Sequence, residues 1–268
     1  MFSDRDREYW YEMGRAAVLR RAGSRSFDQL GKAKNVILLV ADGLGVTTNT
    51  AARVYKGQRH GQTGEEASLA WDNFPALAMT KTYNLDAQIG ESSACATALL
   101  CGVKANFETV GLDINGKFGN CASSFKSKVD SLISWAQQEG KATGIVTNTR
   151  VTHATPAAAY AHSASRYWED DAKIPPLSRR SCKDIARQLV EDDPGRNMND
   201  KLGMNVILLK LGQIPLVNGL CGIVGLSRCH RLFQLVCYHI KHFVVPQQKG
   251  YFPFPPRKIF GSFESIDL

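Results

Sequence analysis

Asn35-Val36-Ile37-Leu38-Leu39-Val40-Ala41 runs directly into Asp42-Gly43-Leu44-Gly45, and the fold is read outward from this stretch. The run is aliphatic without alternation. That pattern predicts a strand buried on both faces, as in a parallel sheet, ending abruptly at a carboxylate followed by glycine. A second short strand is predicted at Gly144-Ile145-Val146-Thr147-Asn148. Helical patterns surround the two. Arg7 to Arg20 places Tyr9, Trp10, Met13 and Ala17 on one side, and the small-residue run from Ser92 stops at Gly102. Ser124 can cap a helix carrying Phe125, Val129, Leu132, Ile133 and Ala136 and ending at Gly140. Ser181 can open another, with Asp184 as a capping-box analogue and Ile185, Leu189 and Val190 facing inward. Alternating strands and helices imply an α/β fold, a central, mostly parallel sheet flanked by helices. In such sheets ligands bind beyond the carboxyl ends of the strands, which singles out Asp42 and the segment after Asn148.

The composition, 44% hydrophobic and 22% charged over 268 residues, is that of a globular chain and excludes a disordered or collagen-like one. The formal charge of +8 is unevenly placed. Residues 209–268 hold seven Lys/Arg and two Asp/Glu, and the 63 residues between Asp200 and Glu264 contain no carboxylate. Two sequences of different character therefore meet near residue 208. The cations of the second are scattered among apolar residues rather than clustered, which argues against a nucleic-acid partner. The opening MFSDRDREYWYEMG has no apolar stretch of the secretory-leader kind. The most apolar segment, Val206 to Leu226, is interrupted by Lys210, Gln213, Pro215 and Asn218 and is not expected to span a membrane. Seven cysteines include no Cys-x-x-Cys pair, so no zinc-finger spacing is present.

Three places carry chemistry. Asp42, ending a buried strand, needs a partner. It can cap the Gly43–Gly45 turn or serve as a hard ligand for magnesium or zinc. The Gly43-x-Gly45 pair does not begin a dinucleotide fingerprint, because the third glycine is missing. Ser92 opens a run of small residues, Ser93-Ala94-Cys95-Ala96. It can be a helix cap, or a nucleophile among free N–H groups, which would need a base or metal to activate it. Thr152-His153-Ala154-Thr155 follows the second strand, with Arg166 eleven residues past Thr155. His153 and Arg166 can be ordinary surface groups, but an arginine also grips phosphate with two parallel hydrogen bonds. Taken together, strand-end Asp, helix-start Ser, His/Thr and Arg describe a metal-assisted phosphoryl-transfer site.

Five segments carry a closer resemblance: NVILLVADGLGV (35–46), FPALAMTKTYN (74–84), ESSACATALLCGVKANFETVGLD (91–113), GIVTNTRVTHATPAAAYAHSASR (144–166) and CKDIARQLVEDDPGRNMN (182–199). In order and spacing they resemble the animal alkaline phosphatases. The resemblance implies an α/β sandwich that hydrolyses phosphate monoesters through a phosphoserine, using two zinc ions and one magnesium ion. It makes Ser92 the nucleophile and Arg166 the phosphate clamp. Asp42 becomes a carboxylate shared by zinc and magnesium, Thr155 a magnesium ligand, and His153 a group just behind that ligand. It pairs Cys121 with Cys182 in a disulfide, leaves Cys101 a free thiol, and implies a homodimer at the cell surface or outside the cell.

Two departures stand out. Glu91 occupies a place where the family usually has Asp. The extra methylene is expected to displace Arg166, so Glu91→Asp would raise activity. The resemblance covers residues 1–208, read as the N-terminal part of such a domain. Residues 209–268 are read as an unrelated, poorly ordered tail whose His230, His239 and His242 sit in no family motif. The alternative to an enzyme is an inactive relative that binds phosphate or pairs with full-length subunits.

Overall fold

A computed structural model describes residues 5–23 and 33–203. The reading of residues 209–268 lies outside these residues. Among them the helices are α1 (Arg7–Ala22), α2 (Val46–Gln58), α3 (Ser92–Cys101), α4 (Cys121–Ser124), α5 (Leu132–Gln138), α6 (Ala154–Ala157) and α7 (Ile185–Glu191). The strands β1 (Gly144–Val146) and β2 (Asp200–Leu202) pair in parallel, Gly144 opposite Asp200. The expected class holds: a parallel sheet whose crossover, carrying α6 and α7, packs beside helices.

The predicted strand at 35–41 does not join that sheet. The segment pairs with neither β1 nor β2, and its side chains lie in the open, Val36 63% and Leu39 64% exposed. A parallel strand has no hydrogen-bonding partner of its own; it becomes a buried strand only when neighbours flank it. What fixes its start is Lys141, whose ammonium donates to the carbonyls of Ala33 (3.3 Å) and Lys34 (3.4 Å).

The single helix predicted from Ser124 is also two pieces. Asn120 caps α4, accepting the Ser123 N–H at 3.2 Å. The chain then extends so that Val129 donates to the Gly111 carbonyl (3.1 Å) and is buried, while Phe125 stays 52% exposed. Ser131, not Ser124, caps α5. A helix through Val129 would forfeit this long-range bond and its burial, so packing overrides the local pattern. Likewise Asp184 itself caps α7, accepting the Arg187 N–H at 2.7 Å, and Ser181 stands outside the helix. Ile185 and Leu189 face inward as expected.

The main core joins α3 to α6 through alanines. Ala96, Ala157, Ala158 and Ala161 share one buried cluster with Val110, Tyr160, Ile185, Leu189 and Met198. Side chains this small let two backbones approach closely, which brings the start of α3 to the start of α6. The buried Thr97 hydroxyl donates to Ser93 O (2.8 Å) and accepts the Gly111 N–H (2.9 Å), tying the 106–113 loop to α3. α1 forms as read, but of its apolar residues only Trp10 is buried. Arg7 anchors it on the buried carboxylate of Asp113.

Cys121 and Cys182 form a disulfide across 61 residues, beside Ala164, Trp168 and Ile174. Cys101 is a buried free thiol that burial pushes up to about 12, so it stays protonated and inert near neutrality. Cutting the disulfide by Cys121→Ser with Cys182→Ser should lower stability by about 2–5 kcal/mol, read by denaturant unfolding. Recovery of Cys121 as a free thiol in non-reducing peptide maps would contradict the pairing.

Candidate active site

Two hydrogen-bonded clusters meet where α3 and α6 begin. In the first, the Ser92 hydroxyl donates to both carboxylate oxygens of Asp42, at 3.1 and 3.0 Å. The Thr155 hydroxyl donates to the same carboxylate at 3.3 Å. In the second, the Arg166 guanidinium forms an ion pair with Glu91 and donates to His153 Nε2 at 3.2 Å. Glu91 is adjacent to Ser92, and His153 is two residues from Thr155. Each of the two loops therefore gives one side chain to each cluster, and Asp42 and Arg166 complete them.

Local structure explains the placement. Ser92 is the first residue of α3, so its own N–H and the next few have no partner within the helix. Glu91 is the cap: its carboxylate accepts the Ser93 and Ala94 N–H groups at 2.9 and 3.2 Å. That leaves the Ser92 hydroxyl unneeded for capping and free to face Asp42. His153 stands at the start of α6, its N–H bound to Arg150 O (2.9 Å), which turns the chain so that Thr155 faces the same way. The Arg166 N–H donates to Glu108 O (2.9 Å), and the paired Val110 and Ser163 hold the two loops in register.

Glu91 does more than its position in the sequence indicated. Burial works to raise its carboxyl, but the Ser93 hydroxyl, the Ser93 and Ala94 N–H groups and the Arg166 charge outweigh that and hold it below the usual value. It also accepts the Glu108 N–H at 3.0 Å. The longer side chain thus reaches Arg166, the helix start and the Glu108 backbone together. These contacts argue against a gain from Glu91→Asp. A carboxylate one methylene shorter cannot span all these donors, so Glu91→Asp should cost about 1–2 kcal/mol of stability and weaken anion binding. A thermal melt of the variant at or above the parent value would refute this.

His153 is pushed down by burial and then by the charges of Arg166 and Arg150. It is therefore neutral near pH 7, and its Nε2 lone pair accepts from Arg166. Below the site lie residues that sequence reading passed over: Arg150 and Thr152, both bound to Glu169. Their only signal in the sequence was that they stand two residues apart after β1, while Glu169 stands three residues beyond Arg166.

The donor set was tested against metals. Asp42, Ser92 and Thr155 offer a carboxylate and two hydroxyls, hard oxygens suited to a magnesium-like cation. A catalytic zinc takes three protein ligands drawn from His, Cys, Asp and Glu. No group of three such residues that could hold a metal occurs among the described residues. The site fits part of one hard-cation site and does not fit a complete zinc site.

A sequence model of the alkaline phosphatases matches residues 33–199. The tissue-nonspecific isozyme of alkaline phosphatase from Gallus gallus is 48% identical over 192 residues, 71% of this chain and 37% of that protein. The corresponding isozyme of Homo sapiens is 46% identical over 190 residues, 70% of this chain and 36% of that one. The crystal structure of a cold-active alkaline phosphatase from the psychrophile Shewanella sp. aligns with a TM-score of 0.43 at 22% identity, over 61% of this chain and 44% of that one. The chain spans a little over a third of the length of these two curated relatives.

Proposed function

Because this chain belongs to the alkaline phosphatase family, we propose that it carries the nucleophile and the phosphate clamp of a phosphate monoester hydrolase. The observation that carries the reading is the double cluster. A serine hydroxyl at a helix start faces a carboxylate, while the neighbouring glutamate holds an arginine beside it.

In this reading Arg166 binds two oxygens of the substrate phosphate, with Glu91 and His153 fixing its plane from behind. The N-terminal end of α3, with Ser92 at its first position, adds the positive end of the helix dipole where the phosphate sits. Ser92 Oγ attacks phosphorus as the bond from phosphorus to the substrate oxygen breaks; the serine proton, held toward the Asp42 carboxylate, is given up to solvent, and solvent protonates the departing alkoxide. The substrate alcohol leaves, and water then cleaves the phosphoserine. Asp42 and Thr155 would hold the magnesium ion; two zinc ions complete the family's site, and a bound metal supplies charge to lower the serine and water pKa values. Residues 1–208 are the phosphatase portion. Phosphate monoesters are the substrates, the assembly is a homodimer, and the setting is extracellular or at the cell surface. The Cys121–Cys182 disulfide supports an oxidising compartment. No described helix is long and apolar enough to cross a membrane.

The test joins residues 1–208 to the remaining part of a full-length relative and traps the intermediate with labelled inorganic phosphate at acid pH. Label is expected on the peptide containing Ser92 and is expected to vanish in Ser92→Ala. Label on any other residue would overturn the assignment.

A further inference from the structure

Glu169 is a buried carboxylate with no part in the steps above. Its side chain is 9% exposed. It takes a two-pronged grip from Arg150, Nε at 2.8 Å and Nη2 at 2.9 Å, and accepts the Thr152 hydroxyl at 2.6 Å. Lys173 adds a longer ion pair at 3.8 Å. Its backbone is anchored too: the Trp168 and Glu169 carbonyls accept the N–H groups of Ile185 (2.8 Å) and Ala186 (3.1 Å) at the start of α7.

Arg150 and Thr152 flank Val151, whose carbonyl accepts the hydroxyl of the fully buried Tyr160 at 2.8 Å. The turn that presents His153 and Thr155 is thus clamped by a carboxylate on one side and a phenol on the other. Glu169 stands three residues beyond Arg166 on the same short loop, where Trp168 N–H donates to Ser165 O at 3.2 Å. The 3.2 Å hydrogen bond of Arg166 to His153 also joins this loop to the His153–Thr155 turn.

We propose that Glu169 is a positioning residue: through Arg150 and Thr152 it sets the spacing between Arg166 and the His153–Thr155 turn, and so the geometry of the phosphate site. This rests on the reading of Arg166 as the phosphate clamp. Burial alone would raise the Glu169 carboxyl, but the hydrogen bonds from Arg150 and Thr152 outweigh it and take it to about 2, so the clamp stays charged over the working range. Removing the charge also frees the Arg150 guanidinium, leaving a loose cation next to His153.

The experiment uses the whole 268-residue chain and inorganic phosphate as the probe, with binding followed by phosphorus NMR. The His153 ring signal is followed by proton–carbon NMR at one fixed pH without phosphate. Glu169→Gln is expected to weaken phosphate binding about tenfold and to move the His153 signal, at a melting temperature that still reports a folded chain. Thr152→Val removes one hydrogen bond and keeps the ion pair; it should shift both readouts in the same direction by less. In an Arg166→Ala background, Glu169→Gln should have no further effect on phosphate, because both act through one contact. The proposal is overturned if both variants bind phosphate within about twofold of the parent and leave the His153 signal unmoved. If Glu169→Gln does not fold, Thr152→Val alone decides by the same two readouts. If phosphate binding in the parent is absent or indifferent to Arg166→Ala, the phosphate-site reading fails instead, and the His153 signal decides the role of Glu169.

Discussion

Supplied with saturating zinc and magnesium, the 268-residue chain is expected to hydrolyse a chromogenic phosphate monoester no faster than its own Ser92→Ala variant at alkaline pH. Asp42, Ser92 and Thr155 converge as oxygens only, and no described group of His, Cys, Asp and Glu residues could hold a metal. Without a zinc-class ion at its oxygen, Ser92 keeps its proton and is a weak nucleophile. The carboxylate facing it is a poor base for a hydroxyl whose pKa is many units higher. A Lewis acid at that oxygen is worth several kcal/mol, so a chain that cannot hold one should be slower by on the order of 10³-fold or more. Joining residues 1–208 to the rest of a full-length relative should restore turnover that Ser92→Ala removes. Turnover by the 268-residue chain that depends on Ser92 would refute this expectation and point to donors outside the described residues, His230, His239 and His242 being the first to test.

Gly111→Ala should be the most destabilising single substitution proposed for the described residues. Gly111 has φ +61°, a conformation that a residue with a Cβ adopts at a cost. A Cβ there would lie 2.2 Å from the Ala161 carbonyl oxygen and 3.2 Å from the His162 ring. Neither side can yield cheaply. Gly111 donates to Thr97 and accepts from Val129, and its neighbour Val110 pairs with Ser163. Strain and clash together should cost about 3 kcal/mol or more, lowering the melting temperature by about 10 °C. The loss should reach the site, because Glu108 in this loop holds the Arg166 backbone. A melting temperature within about 2 °C of the parent would mean that the loop relaxes around the methyl, against this account.

Much of the site could be read from residue order. Ser92 at a helix start and Gly102 at its end are local matters of capping and left-handed backbone, and both were found where expected. Asp42 was legible because it ends an apolar run, His153 and Thr155 because they follow a predicted strand, and Arg166 as a guanidinium suited to phosphate; the structure places them in two contiguous clusters. Glu91 was legible as a carboxylate beside Ser92, but not in what it does. Its reach depends on where Arg166, 75 residues away, and the Glu108 backbone arrive. Glu169 escaped notice for the same reason: its partners Arg150 and Thr152 lie 19 and 17 residues back.

By itself the sequence determined the class of fold, the family, the starts of α1 and β1, and both ends of α3. The fold class and the element starts follow from the spacing of apolar residues and from caps within a few residues of each other; the family follows from the resemblance of five motifs taken together. Tertiary structure alone decided whether an apolar run becomes a strand, where a helical pattern breaks, and which way a charged side chain points. Val36 to Val40 has the composition of a buried strand yet lies exposed, because a strand's hydrogen bonds belong to its neighbours. Val129 leaves its helical pattern because a bond to Gly111 and a place in the core outweigh a few tenths of a kcal/mol of helical preference. Glu91 holds Arg166 because folding brings them together, with burial and hydrogen bonding then setting the charge that makes the contact strong.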